Sequence, residues 1–134
     1  MKSFRFSTAD LPPRARAAAV RELHERGVIG LEPLPGRALH VEIRKWFLPG
    51  ASILSGTLAG LRQQALPPAL ETSDDLFLGV NVAGYSSAAQ RGRAITLGGG
   101  DATLLSSAEG PFSIVRPATV RFLGVRVPRG VIVP

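Results

Sequence analysis

The sequence has no cysteine, one tryptophan, one tyrosine and two histidines among its 134 residues. The lack of cysteine excludes disulfides, thiolate metal sites, iron–sulfur clusters and a cysteine nucleophile. A zinc site needs three or four ligands, and beyond His24 and His40 no further histidine or cysteine exists to complete one. We therefore expect no metal and no other cofactor.

Targeting and membrane-spanning segments are also missing. Residues 1–10 contain charges but no apolar stretch of the kind that a secretory signal requires. The longest uncharged runs contain glycines and polar residues and are too short to span a bilayer. The expectation is a cytoplasmic protein with no membrane contact.

Signatures of catalysis are equally scarce. The serines lack a Gly-x-Ser-x-Gly context and have no obvious histidine partner. The triple glycine at 98–100 resembles a phosphate-binding loop only superficially, because no Lys-Ser/Thr pair follows it and a predicted strand comes next. We predict that the chain is not an enzyme and has no catalytic residues.

Basic residues outnumber acidic ones, 16 to 10, for a net charge of +6. They are spread over a predicted helix, a hairpin and the C-terminal region. Nucleic-acid surfaces gather positive charge and interleave aromatic side chains, and neither pattern occurs here. The charge therefore indicates solvated surfaces, without direct DNA contact by these residues.

Two periodicities divide the chain. Residues 7–27 favour an amphipathic helix, in which Ala15, Ala19 and Leu23 are spaced four apart and Gly27 is the natural end. From residue 37 to residue 127 the period shortens to two, with turns at Pro49-Gly50, Arg91-Gly92 and residues 98–101. Short strands at regular spacing predict a mainly β sandwich or barrel that carries an N-terminal helix.

Polar and aromatic residues share strand faces at two places in this pattern. Arg44 and Trp46 alternate with apolar residues on one strand, and Phe77 and Asn81 do so on a later strand, with Tyr85 beyond them. A polar, aromatic inner face of a small barrel would line a ligand cavity. These five residues are the pocket candidates; the alternative is a surface face that happens to include a tryptophan.

Three motifs follow one another along the chain. Near the start, Phe6-Ser-Thr-Ala-Asp-Leu-Pro-Pro13 leads into Arg21-Glu-Leu23. In the middle, Gln90-Arg-Gly-Arg93 is followed by Thr96-Leu-Gly-Gly-Gly-Asp-Ala-Thr-Leu-Leu105, and near the end stands Phe122-Leu-Gly-Val-Arg-Val-Pro-Arg129. In this order they resemble the opening, the middle and the exit into the linker of the N-terminal domain of AraC-type transcriptional regulators, a bacterial family.

The resemblance implies a cupin-like β-barrel of the jelly-roll type, used for effector binding or dimerisation. It implies one regulatory domain over residues 1–134, with a small-molecule effector and a homodimer as partners. No helix-turn-helix fits after Arg129. DNA would then be reached only through a C-terminal domain that these residues lack, whether the chain is cut from a longer regulator or stands alone.

Two other functions stay open. One is an interaction module that pairs without any small molecule. The other is a metal-dependent cupin enzyme, against which the resemblance itself argues. Cupin-like domains often carry a histidine directly after the proline that follows their Gly-Asp strand, and here Phe112 stands after Pro111.

Overall fold

Two antiparallel sheets and one helix make up the parts of the chain that the structure, a computed structural model, describes: residues 2–27, 29–64, 75–106 and 109–128. The helix is α1 (Pro13–Glu25), preceded by a 3₁₀ turn at Thr8–Asp10. The strands are β1 (Lys2–Ser7), β2 (Gly30–Pro33), β3 (His40–Leu48), β4 (Ala51–Ala59), β5 (Leu61–Gln64), β6 (Asp75–Ala83), β7 (Ser86–Gln90), β8 (Arg93–Leu97), β9 (Ala102–Ser106), β10 (Phe112–Arg116) and β11 (Val120–Pro128).

The strand order places sequence-distant strands side by side. The six-stranded sheet has the order β1-β3-β4-β11-β6-β9, and the five-stranded sheet has the order β2-β5-β10-β7-β8. All of the pairings are antiparallel. The predicted mainly β architecture with an N-terminal helix is confirmed.

The N-terminal segment differs from the prediction of helix over residues 7–27. Residues 2–7 form an edge strand paired with β3, and the α-helix begins only at Pro13. Phe4 and Phe6 alternate with polar residues, which is a strand period, and Pro12 is extended at φ −62° and ψ 146°. The helix then packs on β2 and buries Val20 and Leu23.

The turns follow the local sequence closely. Arg91 and Gly92 have φ values of 55° and 73°, the left-handed pair that a two-residue hairpin needs between β7 and β8. At the second turn, the amide of Gly98 donates to Asp101 Oδ2 at 2.7 Å. Both reversals lie where the sequence predicted them.

Two apolar clusters form the core. The larger one lies under the helix and includes Leu23, Val41, Ile43, Leu58 and Phe122. The smaller one contains Ala88, Leu97, Leu105, Phe112 and Ile114, with Phe77 packed against it. None of the described helical residues forms a segment long and apolar enough to cross a membrane.

Candidate functional site between the sheets

The structure separates the five predicted pocket residues. Phe77 packs against the smaller core cluster, and Asn81 is 2% exposed, so both lie on the inner face of the six-stranded sheet. Arg44 is exposed on the outer face, where its guanidinium carbon lies 5.8 Å from the Trp46 ring centroid. Tyr85 is 73% exposed in the turn after β6.

The expectation that the polar face of β3 points inward is therefore wrong. Val41 and Ile43 are buried on that strand, and Glu42 and Arg44 are exposed. Because side chains alternate along a strand, burial of the two apolar residues turns Arg44 and Trp46 outward. Strand β6 has the opposite arrangement, with Leu78 and Val82 exposed and Asn81 buried.

Asn81 uses its whole side chain for structure. Its Nδ2 group donates to the carbonyl oxygens of Gly84 at 2.7 Å and Leu97 at 3.2 Å. Its Oδ1 atom accepts from Ser86 Oγ at 2.9 Å and from Arg116 Nη1 at 3.2 Å. An amide side chain has two donors and one oxygen with two acceptor sites, so Asn81 keeps nothing for a ligand.

Arg116, at the end of β10, was not predicted from the sequence. Its side chain is buried, and the residue is 3% exposed. Nε and Nη2 donate to Gln63 Oε1 at 3.1 and 2.9 Å, and Nη1 also donates to Ser86 Oγ at 2.8 Å. The partners that the described residues supply are neutral oxygens and the ring of Phe122, whose centroid lies 4.7 Å from the guanidinium carbon. Burial lowers the pKa of Arg116 to about 10.

Two adjacent glycines leave the middle of the inner face bare. Gly79 on β6 pairs directly with Gly124 on β11. A Cβ atom added at Gly124 would meet only the carbonyl oxygens of Leu54 at 3.8 Å and Leu78 at 4.0 Å, and one added at Gly79 would lie 3.7 Å from Thr103 Cγ2. We call this pair the glycine strip. The described side chains thus leave room for at least a methyl group on it.

Charged side chains border the glycine strip at one end. Lys45 lies on the inner face of β3, with Nζ 5.2 Å from the Phe47 ring centroid. Burial, and secondly the charge of Arg126, lower the pKa of Lys45. Arg126 Nε donates to Asp75 Oδ2 at 2.6 Å, and Asp75 is 5% exposed.

Aromatic rings close the other side of this region. Phe77 on β6 and Phe112 on β10 belong to different sheets, and their ring centroids are 5.0 Å apart at an interplanar angle of 58°. The glycine strip therefore lies between basic side chains on one side and aromatic rings on the other. Such a mixture suits an amphipathic small molecule.

Two further features contribute little to this region. A shallow cleft of about 260 Å³ lies between α1 and β2 and is lined by Arg21, His24, Glu25, Leu31, Glu32 and Gln64. His40 Nε2 lies 3.9 Å from Glu42 Oε2. Across residues 2–27, 29–64, 75–106 and 109–128, no group of three or more histidine, aspartate or glutamate side chains could hold a metal ion.

The two-sheet fold is similar to that of a solved cupin domain. No family model matches the sequence, and no curated protein matches it either. Solved structures do match, and they confirm the cupin-like fold that the sequence resemblance implied.

An AraC-like transcriptional activator, CuxR, superposes with a TM-score of 0.73 at 16% identity, over 97% of this chain and 48% of that one. The cupin domain of Schizosaccharomyces pombe Cnp3 gives a TM-score of 0.52 at 9% identity, over 73% of each chain. Ectoine synthase from P. lautus gives 0.51 at 14% identity, over 65% of this chain and 63% of that one. The chain spans about half the length of CuxR, and the neighbours include both a regulator and an enzyme.

Proposed function

We propose that this chain is a regulatory domain that binds a small anionic effector between its two sheets. It would act on transcription in the cytoplasm, without catalysis, through a separate DNA-binding unit. The observation that carries the proposal is the glycine strip, a stretch of inner face without side chains that lies between cations and aromatic rings. The fold shared with an AraC-like activator supports the regulatory part.

The charges of the inner face favour an anion. Lys45, Arg116 and Arg126 lie on inward-facing strand positions, and the described carboxylate beside them is Asp75. A carboxylate or phosphate group near Lys45 would meet a cation in a partly desolvated site, where charge pairs are stronger than in water. The apolar body of the ligand would lie on the bare backbone and against Phe77.

The test places a side chain on the glycine strip and measures ligand binding. Screening small aromatic carboxylates and phosphate esters by thermal shift identifies a binder, and calorimetry then gives its dissociation constant. A leucine side chain in Gly124→Leu would occupy the ligand volume, so we expect at least a tenfold weaker binding.

Trp46→Ala is the matched control, because Trp46 lies on the other face of the same sheet. It should bind the ligand as the parent does. Unchanged affinity in Gly124→Leu would disprove the proposed site. A loss of affinity confined to Trp46→Ala would instead indicate that the ligand binds on the outer face.

A second function, self-association, is favoured by a separate observation. Large apolar side chains, including Leu78 and Leu104, are exposed on the outer face of the six-stranded sheet. We propose that the chain also forms a homodimer, whether or not a ligand is bound.

A further inference from the structure

Strand β8 ends the five-stranded sheet and, among the described residues, has a neighbouring strand on one side only. Gln90 pairs with Arg93 across the two-residue turn, and a turn of this type is closed by a hydrogen-bonded pair. Hydrogen-bonded and non-hydrogen-bonded pairs alternate in an antiparallel ladder, so Ala94 and Thr96 turn their N–H and C=O groups away from β7. The described residues supply no hydrogen-bond partner for these four groups.

The other three edges of the described sheets are protected or partly used. Strand β1 carries the charges of Lys2 and Arg5, and β2 ends at Pro33 and has α1 packed on it. On β9, the carbonyl oxygen of Ser106 accepts from Gln90 Nε2 at 2.8 Å. Charges, prolines and covering elements are the devices that keep a sheet edge from pairing with another chain. Within the described residues, the middle of β8 has none of these devices.

The inward-facing side chains of β8 are uncovered near the turn. Ile95 pairs directly with Ala88, which is buried in the smaller cluster, yet Ile95 itself is 50% exposed. Arg93 follows on the same face and is also exposed, and none of the ion pairs among the described residues includes it. The edge of β8 therefore combines unpaired main-chain groups with an uncovered apolar side chain and an uncovered cation.

We propose that β8 binds an extended segment of a partner protein as an added antiparallel strand, with an acidic side chain of that segment beside Arg93. The four free backbone groups define this chemistry, because an extended main chain presents donors and acceptors at the spacing of a strand. In the added strand, an apolar residue lies opposite Ile95, and the acidic residue two positions later lies opposite Arg93. These side chains fix the register and the direction of the segment. The inference is independent of the effector site.

Charge complementarity favours an acidic partner segment over a second copy of β8. Strand β8 contains no acidic residue, so a second β8 would bring another Arg93 and no carboxylate. The net charge of +6 also attracts acidic segments during the encounter. An exposed ion pair changes affinity by a factor of about five at most. The carboxylate therefore selects the segment, while the main-chain hydrogen bonds and the contact with Ile95 supply most of the affinity.

The probe is a fluorescein-labelled peptide with the core Val-Thr-Val-Thr-Glu, which places its second valine opposite Ile95 and its glutamate opposite Arg93. Fluorescence anisotropy with the full chain should give a dissociation constant on the order of 100 μM for this single added strand. N-methylation of the two threonines, whose amides face β8, should weaken binding at least tenfold, because it removes two hydrogen bonds. N-methylation of the two valines, whose amides face away, is the matched control and should weaken binding far less.

The corresponding change in the protein is Thr96→Pro. Proline is tolerated on an edge strand but removes the outward N–H group, so we expect at least tenfold weaker peptide binding. Ala102→Pro is the control, because it places the same residue at the start of β9, an edge strand of the other sheet. It should bind the peptide as the parent does, and circular dichroism should show that both variants are folded.

If Thr96→Pro unfolds, Arg93→Glu replaces it. This variant should bind the peptide about fivefold more weakly and should regain affinity for a peptide that ends in lysine instead of glutamate. Equal affinities of the two methylated peptides would overturn the inference, as would unchanged binding by a folded Thr96→Pro variant. A parent that does not bind the peptide but self-associates through β8 would also overturn it, because the occupant of the edge would then be a second copy.

Discussion

Arg116 is a charged residue in the core, and its burial costs free energy of hydration. A buried guanidinium loses its hydration, and the lowered pKa of about 10 expresses that loss. Four hydrogen bonds to Gln63, Asn81 and Ser86 and the face of Phe122 compensate for part of it. The described contacts make Arg116 a bridge between the two apolar clusters, because Phe122 belongs to one and Ser86 begins the strand that carries Ala88 of the other.

Variants of Arg116 and Gln63 can separate the contribution of the buried charge from that of its hydrogen-bond partner. Arg116→Met leaves Gln63 Oε1 without its donor and should lower the free energy of unfolding by about 1–2 kcal/mol. The double variant Arg116→Met/Gln63→Leu also removes Gln63 Oε1, while Ser86 Oγ and Asn81 Oδ1 keep the hydrogen bond between them. Its free energy of unfolding should recover most of that loss, because replacing both members of a buried polar pair by apolar side chains often leaves stability unchanged. Urea denaturation of the parent, both single variants and the double variant gives the coupling. A double variant no more stable than Arg116→Met would contradict this account.

Helix α1 is the element with the weakest local support. It begins at Pro13 without a side-chain cap, and no acidic residue stands in its first turn. Four amide groups at a helix N-terminus normally need acceptors, and a side-chain oxygen at the N-cap provides one. Packing of Val20 and Leu23 against the core therefore has to hold the helix in place.

Pro12→Asp should supply the missing cap. The carboxylate can accept from the first-turn amides and meets the positive end of the helix dipole, so we expect the free energy of unfolding to rise by about 1 kcal/mol. Pro12→Ala, which loses the same proline ring but adds no acceptor, should be less stable than the aspartate variant in thermal denaturation. Equal stability of the two variants would show that the helix start needs no cap.

Strands β3 and β6 show what alternation can and cannot predict. On β3 the apolar residues Val41 and Ile43 face inward, as the hydrophobic effect would lead one to expect. On β6 the apolar Leu78 and Val82 face outward, and Asn81 lies inside. The sequence predicted two distinct faces for each strand, but not the side on which the second sheet packs.

At the scale of the whole molecule, the core is divided unequally. The larger cluster joins α1, β2, β3, β4, β5 and β11, and the smaller one joins β7, β8, β9 and β10 with Phe77 of β6. Strand β8 is an edge strand on which residues 93–96 are exposed. Regions with few buried apolar contacts open locally at lower free energy than the rest of a protein.

Native-state hydrogen exchange should detect this division. The amide of Val41 on β3 should exchange with a free energy close to that of global unfolding, and the amide of Ala88 on β7 at least about 1.4 kcal/mol lower, a tenfold difference in opening. Added urea should change the opening free energy at Ala88 only slightly, because local opening of the smaller cluster exposes little surface. Equal free energies for the two amides would mean that the clusters unfold as one unit.

The sequence by itself determined the lack of thiol chemistry, the mainly β pattern with one helix, and the turns at Arg91-Gly92 and residues 98–101. These follow from residue type and local backbone preference. The glycine strip, the outward turn of Trp46 and the burial of Arg116 were decided only by the tertiary structure. The reason is physical: alternation makes the two faces of a strand different, but long-range pairing and the second sheet choose which face is enclosed.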